Sequence, residues 1–180
     1  LPASERAEVK VTCPLDGTGF NAVQDFSGYA VGMRLDMRKM GAISQPWALA
    51  RCPECGFPVY QKYFSAGDAL RLKTIVTSER FQAEARTAPA WFALGVVKEE
   101  LKSDPFDIGW TYLNASWEAE NEAKPAAYAR AAQRAITWFD LAASALQNQP
   151  ERSKDRSLAR YLPVELNRRL GDFAEAVRRL

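Results

Sequence analysis

Hydrophobic and polar positions change rhythm once along this chain. Up to about residue 64 the pattern has a period of two. Glu8-Val9-Lys10-Val11-Thr12 alternates polar and apolar side chains, as a half-buried strand does. Asp16-Gly17-Thr18-Gly19 reads as a turn, and Phe20-Asn21-Ala22-Val23 as the start of a second strand. Pro46 to Ala50 reads as an extended segment running toward Cys52, and Val59-Tyr60 as another after Cys55. Ser27 to Ser44, with its Met-Arg-Leu-Asp-Met-Arg-Lys-Met run, fits neither period and is expected to be irregular.

From Ser65 onward the period is that of helices. Ser65 with Asp68 resembles a capping box, with Asp where Glu is usual, and Leu72, Ile75, Val76 and later Phe81 mark an apolar face. Pro89 opens a second helix with Trp91, Leu94, Val97 and Leu101 inward. Asp104-Pro105 caps and opens a third, with Ile108, Tyr112, Leu113 and Trp117 inward. Pro125 opens a long alanine-rich helix, which Pro150 ends. Glu151 to Arg156 reads as a charged linker, and Gly171 splits a last pair, Ser157–Leu170 and Asp172–Leu180. Short connections between five or six helices predict antiparallel hairpins. Ala115, Ala119, Ala131, Ala135 and Ala142 recur where two axes would approach closely. No strict 34-residue repeat can be traced, so the expected arrangement is solenoid-like. The fold class expected is α+β, mostly α: a small β domain over residues 1–64 and a helical-hairpin array over residues 65–180.

Composition narrows the function classes. Apolar residues make up 47% and charged residues 26% of the 180, the balance of a chain with a core. A net charge of +2 argues against a nucleic-acid partner. The arginines after residue 150 lie among acids at helical spacing and read as a solvated face. No apolar run is long enough to span a membrane. The chain begins at Leu1 and stops at Leu180 inside an amphipathic pattern. This reads as a chain trimmed at both ends, either exported with its signal removed or cytoplasmic. Histidine is absent, which removes the usual general base and lowers the expectation of catalysis. A small-molecule substrate is not expected.

The strongest chemical signal is Cys52-Pro53-Glu54-Cys55-Gly56. Two cysteines separated by two residues can place both sulfurs on one metal at about 2.3 Å. Glycine after the second permits a left-handed turn that aims backbone N–H groups at sulfur. Cys13-Pro14-Leu15-Asp16-Gly17 repeats the frame with Asp16 where a cysteine would stand. The expected ligands are therefore Cys13, Asp16, Cys52 and Cys55, holding zinc. The alternatives at this stage are a degenerate site in which Asp16 only caps a turn, and a Cys52–Cys55 disulfide.

With these residues in view the chain resembles a bacterial family, domain of unknown function 2225. The resemblance is carried by Val11-Thr12-Cys13-Pro14, Arg34-x-Asp36, Pro46, Cys52-Pro53-Glu54-Cys55-Gly56 and the stretch Tyr161 to Phe173. It implies a zinc-ribbon-like N-terminus followed by tetratricopeptide-like helices, and it implies no activity. The knuckles also resemble those of rubredoxin, which hold a redox-active iron. Two functions compete: a non-catalytic metal-binding adaptor that docks a protein partner or larger assembly through its helices, and a rubredoxin-like electron carrier. Trp110 and Trp138, off the buried faces, are the candidate contacts of the adaptor. A third reading, a hydrolase using Glu99-Glu100 or Glu118-Glu120-Glu122, is set aside because those acids read as solvated.

Overall fold

Small antiparallel ladders lead into a stack of helices, so the protein is α+β and mostly helical. The computed structural model describes residues 5–43 and 45–180. The first hairpin pairs β1 (Glu5–Thr12) with β2 (Gly19–Ser27), with Glu8 opposite Val23 and Val11 opposite Phe20. Both strands are longer than the alternation predicts. β3 (Gly32–Met33) pairs with β4 (Lys39–Met40), and β5 (Ala50–Arg51) with β6 (Pro58–Val59).

The β3–β4 pair corrects the expectation of irregular chain between Ser27 and Ser44 (Ser44 itself lies outside the described residues). Hydrogen bonds from Tyr29 N–H to Ala42, Val31 N–H to Met40 and Arg34 N–H to Arg38 hold it as a narrow hairpin. Its hydrophobic pattern is hard to read because Val31, Met33, Leu35 and Met40 all remain exposed. At its tip, in contrast, Asp36 is only 1% exposed.

The helices are α1 (Ala66–Val76), α2 (Glu79–Glu84), α3 (Ala90–Glu100), α4 (Pro105–Asn121), α5 (Pro125–Ala145), α6 (Ser153–Leu170) and α7 (Phe173–Arg178). Local caps fix most of their starts. Asp68 N–H donates to Ser65 Oγ at 3.1 Å while Ser65 N–H donates to the Asp68 carboxylate. Phe106 N–H donates to Asp104 at 2.9 Å. Gly171, at φ 82°, closes α6 in the left-handed conformation that glycine adopts without strain.

Two boundaries differ from expectation. Ser78 caps a separate helix, α2, so Phe81 does not continue the face of α1. The expected linker Glu151 to Arg156 is a 3-10 turn (Pro150–Arg152) running directly into α6. Arg152 stabilises that junction by bonding Asp155 at 2.9 Å and Asp104 at 2.7 Å.

From α3 onward, each helix packs on the next in sequence. The three-residue connection between α4 and α5, with their extensive contact, makes that pair a hairpin. The alanines named above are all buried, and two helical glycines make close approaches to rings of the next helix. A Cβ at Gly109 would lie 2.8 Å from the Phe139 ring, and one at Gly95 2.5 Å from the Tyr112 ring. Tyr112 is fully buried, and its hydroxyl donates to Glu99 at 2.9 Å, so it has little freedom to move aside. Gly95→Ala is therefore expected to cost about 1–3 kcal/mol by overpacking. A urea midpoint equal to wild type would show that Tyr112 yields.

The buried cluster crosses from the β elements into the helices. Cys13, Leu15, Cys52 and Phe57 belong to it along with Leu72, Phe92, Tyr112, Trp117, Phe139, Leu162 and Leu166. Beneath the second knuckle, Phe57, Tyr60 and Phe64 form an edge-to-face trio with centroids 5.3–6.0 Å apart. Among the described residues no helix is long and apolar enough to cross a membrane.

Candidate metal centre

Two strands deliver the ligands. β1 ends at Thr12 and β5 at Arg51, so Cys13 and Cys52 each begin a turn directly after a strand. The two turns have the same hydrogen bonds. Cys13 N–H donates to Thr18 and Gly17 N–H to Cys13; Cys52 N–H donates to Phe57 and Gly56 N–H to Cys52, all at 2.8–3.0 Å. Both glycines sit at φ 76°, a conformation in which a Cβ would be strained.

These turns bring together all four residues predicted from the sequence. One ligand atom from each of Cys13, Asp16, Cys52 and Cys55 lies within 4.8 Å of every other. Cys13 Sγ is 3.6 Å from Cys55 Sγ, and Asp16 Oδ2 is 3.4 Å from Cys52 Sγ. A tetrahedral ion with metal–sulfur bonds of about 2.3 Å and a metal–oxygen bond of about 2.0 Å has edges of about 3.8 Å between sulfurs and 3.5 Å between sulfur and oxygen. The observed spacings match those edges. All three thiols are free, and 3.6 Å is far from the roughly 2.05 Å of a disulfide bond.

The electrostatics suit a cation. Burial pushes the Cys13 thiol up to about 11, although the backbone N–H groups of Leu15 and Asp16 oppose the rise. Burial raises Cys55 as well. Both thiols therefore keep their protons at neutral pH, and a metal bound there would have to displace them. Asp16 behaves oppositely. Against desolvation, hydrogen bonds from the Thr18 backbone and side chain and from the thiols hold its carboxyl well below the ordinary range. Thr18 N–H occupies Oδ1 at 2.9 Å, leaving Oδ2 to face the cluster. Capping the turn and facing the metal position are thus compatible roles for Asp16.

The family model described as an uncharacterized protein conserved in bacteria, DUF2225, matches residues 8–180. The chain belongs to this family. Comparison with curated proteins and with solved structures finds no match.

Two of the stretches that carry the family resemblance, Arg34-x-Asp36 and Tyr161 to Phe173, meet in space. Arg34 grips Asp36 through two nitrogens, and the buried indole of Trp117 donates to Asp36 at 3.0 Å. Arg169, from the C-terminal stretch, lies 3.7 Å from Asp36 and bonds Glu120 at 2.6 Å and the Tyr128 hydroxyl at 2.8 Å. Arg34 and Arg38 also bond Glu120, at 2.8 and 2.7 Å. Three arginines and two acids thereby tie the β3–β4 hairpin to α4 and α6.

Periodicity misjudged several acids. Glu99 is not solvated: its side chain is 5% exposed and accepts bonds from Tyr112, Trp138, Arg134 and Arg80. Glu118 accepts the Trp91 N–H at 2.9 Å, capping α3, whose own N-cap residue Pro89 makes no side-chain bond. Trp110 and Trp138 are half-buried and each engaged within the chain. Trp110 stacks on Phe106, and the Trp138 indole N–H is held by Glu99 at 2.7 Å. The arginines after residue 150 include Arg152, Arg168, Arg169, Arg178 and Arg179, each paired with an acid.

Burial pushes Glu118 up to about 6, with Glu122 adding to the rise. The folded chain then holds this proton more tightly than the unfolded one, so stability falls as pH rises from about 4.5 through 6. Glu118→Gln keeps an acceptor for Trp91 and removes the buried charge. The variant is expected to be more stable than wild type by about 1–2 kcal/mol at pH 8, an advantage that vanishes near pH 4.5. Denaturant titrations at the two pH values check this, and a difference independent of pH would refute it.

Arg51 escaped the sequence reading altogether. It bonds Gly56 O at 3.1 Å and, beyond the knuckle, the carbonyls of Ala85, Arg86 and Ala88. No local spacing signals this strap, because its acceptors are backbone atoms more than thirty residues away.

Proposed function

We propose that this protein is a non-catalytic metal-binding adaptor. Zinc would hold the two knuckles, and the helical half would dock a protein partner within a larger assembly. The observation that carries the metal reading is the convergence of Cys13, Asp16, Cys52 and Cys55 within 4.8 Å of one another, with the Cys13–Cys55 and Asp16–Cys52 spacings close to the edges of a tetrahedral site. Zinc suits a mixed set of thiolates and one carboxylate, with no redox chemistry demanded of it. The in-chain bonding of Glu99, Glu118 and Glu120 supports a structural role for those acids. For docking, Phe173 and Val177, one turn apart on α7, offer an apolar spot, exposed by 63% and 69%. A stable complex would bury about 1,200 Å² or more.

Metal analysis of chain purified without chelator tests the first part: one zinc per chain and no visible colour are expected. Iron in the same centre, with rubredoxin-like electron transfer, is the alternative supported by the matched knuckles, and a visible charge-transfer spectrum would decide for it. The second part is tested with Phe173→Ser/Val177→Ser, which should lose a partner that the wild-type chain retains. Equal retention would remove this apolar spot from the reading.

A further inference from the structure

The four corners of the metal centre are not equivalent. Cys13 and Cys52 are each 1% exposed, whereas Asp16 is exposed. The knuckles share their hydrogen bonds but not their surroundings. A Cβ at Gly56 would meet Arg86 O at 3.2 Å, Arg86 Cδ at 3.3 Å and Arg51 Nη2 at 3.4 Å, so the second knuckle is walled in. A Cβ at Gly17 would meet nothing within 4 Å, so the first knuckle is open beside Asp16. The exposed corner is also the one with the harder, weaker ligand for a soft metal. Asp16 has somewhere to rest if it leaves, since Thr18 N–H already holds its Oδ1 at 2.9 Å.

We infer that the metal centre is exchangeable at the Asp16 corner and takes an external thiolate there in place of the carboxylate. This rests on the metal reading above. The bond from the metal to Asp16 Oδ2 breaks and a metal–sulfur bond forms. The incoming thiol gives its proton to solvent, and Asp16 stays ionised on Thr18. One anion replaces another, so the charge of the centre does not change and no electron moves. Three protein thiolates and one exchangeable position are the arrangement that separates open from closed zinc sites.

Cobalt(II) in the whole 180-residue chain makes the exchange visible, because thiolate-to-cobalt charge transfer reports the number of sulfur ligands. Titration with 2-mercaptoethanol should raise that absorbance by roughly one third, as three sulfurs become four, and should saturate. Asp16→Ala, which lacks the competing carboxylate, should saturate at lower thiol concentration. Asp16→Cys should start at the four-sulfur spectrum and not respond. A cysteine-containing hexapeptide saturating well below 2-mercaptoethanol would assign the ligand to a protein chain, and equal concentrations to a small thiol. A cobalt centre that forms but ignores thiol, or that thiol strips of metal, overturns the exchange while the metal reading stands. An equal response in Asp16→Cys also overturns it. Failure of cobalt to give any charge-transfer band overturns both.

Discussion

Asp36→Ala is expected to cost about 3–5 kcal/mol, because it leaves charged and polar partners without their counterpart in a buried place. The carboxylate is 1% exposed and accepts from Arg34, from Trp117 at 3.0 Å and from Arg38 N–H at 3.3 Å. Arg34 keeps Glu120 after the change, but the Trp117 indole N–H, itself buried, does not regain an acceptor. Asp36→Asn retains the shape and one acceptor oxygen, so about 2 kcal/mol is expected there. Urea unfolding measures both, and a cycle with Trp117→Phe isolates the pair. An Asp36→Ala loss below about 1 kcal/mol would show that water replaces the carboxylate. The pH dependence has a definite sign. Burial opposes the charge, yet the Arg34 bond and the Arg34 and Arg169 charges prevail and hold Asp36 below its ordinary range. Its contribution is therefore present at neutral pH and is lost as the solution is acidified through the folded-state value.

Cys52→Ser should abolish metal binding and loosen the β elements while the helices persist. The change exchanges a thiolate for a hydroxyl, a poor zinc ligand, at a fully buried corner of the tetrahedron. Zinc held at a thousandfold its dissociation constant stabilises a fold by about 4 kcal/mol, so the chelated wild type and the variant should melt alike and well below the zinc form. Hydrogen exchange should rise first at Cys13, Gly17, Cys52 and Gly56, whose N–H groups take part in the knuckle bonds. Asp16→Cys should act in the opposite direction and tighten binding. A metal-free protein with the same cooperative melt as the loaded one would end the metal reading.

What the sequence made legible was chemistry written within a few residues. Each knuckle is a five-residue frame, and the caps at Ser65 and Asp104 and the opening at Pro125 are equally local, so the four residues that cluster and most helix starts could be read directly. What it hid depends on distant partners. Glu99 and Glu100 are adjacent acids with the same local grammar, but Arg80, Arg134, Tyr112 and Trp138 converge only on Glu99 apart from the Arg80 contact to Glu100. Asp36 falls in a stretch with neither helix nor strand period, since a two-residue ladder is too short to impose one. Its burial comes from Trp117 and Arg34, and only the family resemblance drew notice to it. The helical start at Ser153 escapes the pattern because Glu151 to Arg156 is charged at every position but Ser153, and charge alone does not distinguish a linker from a first turn stabilised by ion pairs.

The bond between Asp36 and Trp117 spans 81 positions of chain, which gives the molecule an order of assembly. During synthesis the β3–β4 hairpin emerges long before its acceptor can be used. At ordinary elongation rates the interval is on the order of ten seconds. For that time the N-terminal segment is a free polypeptide with a solvated Asp36 and no helix to lie on. Its docking must then follow the synthesis of α4, so the hairpin is made before that helix and settles only after it.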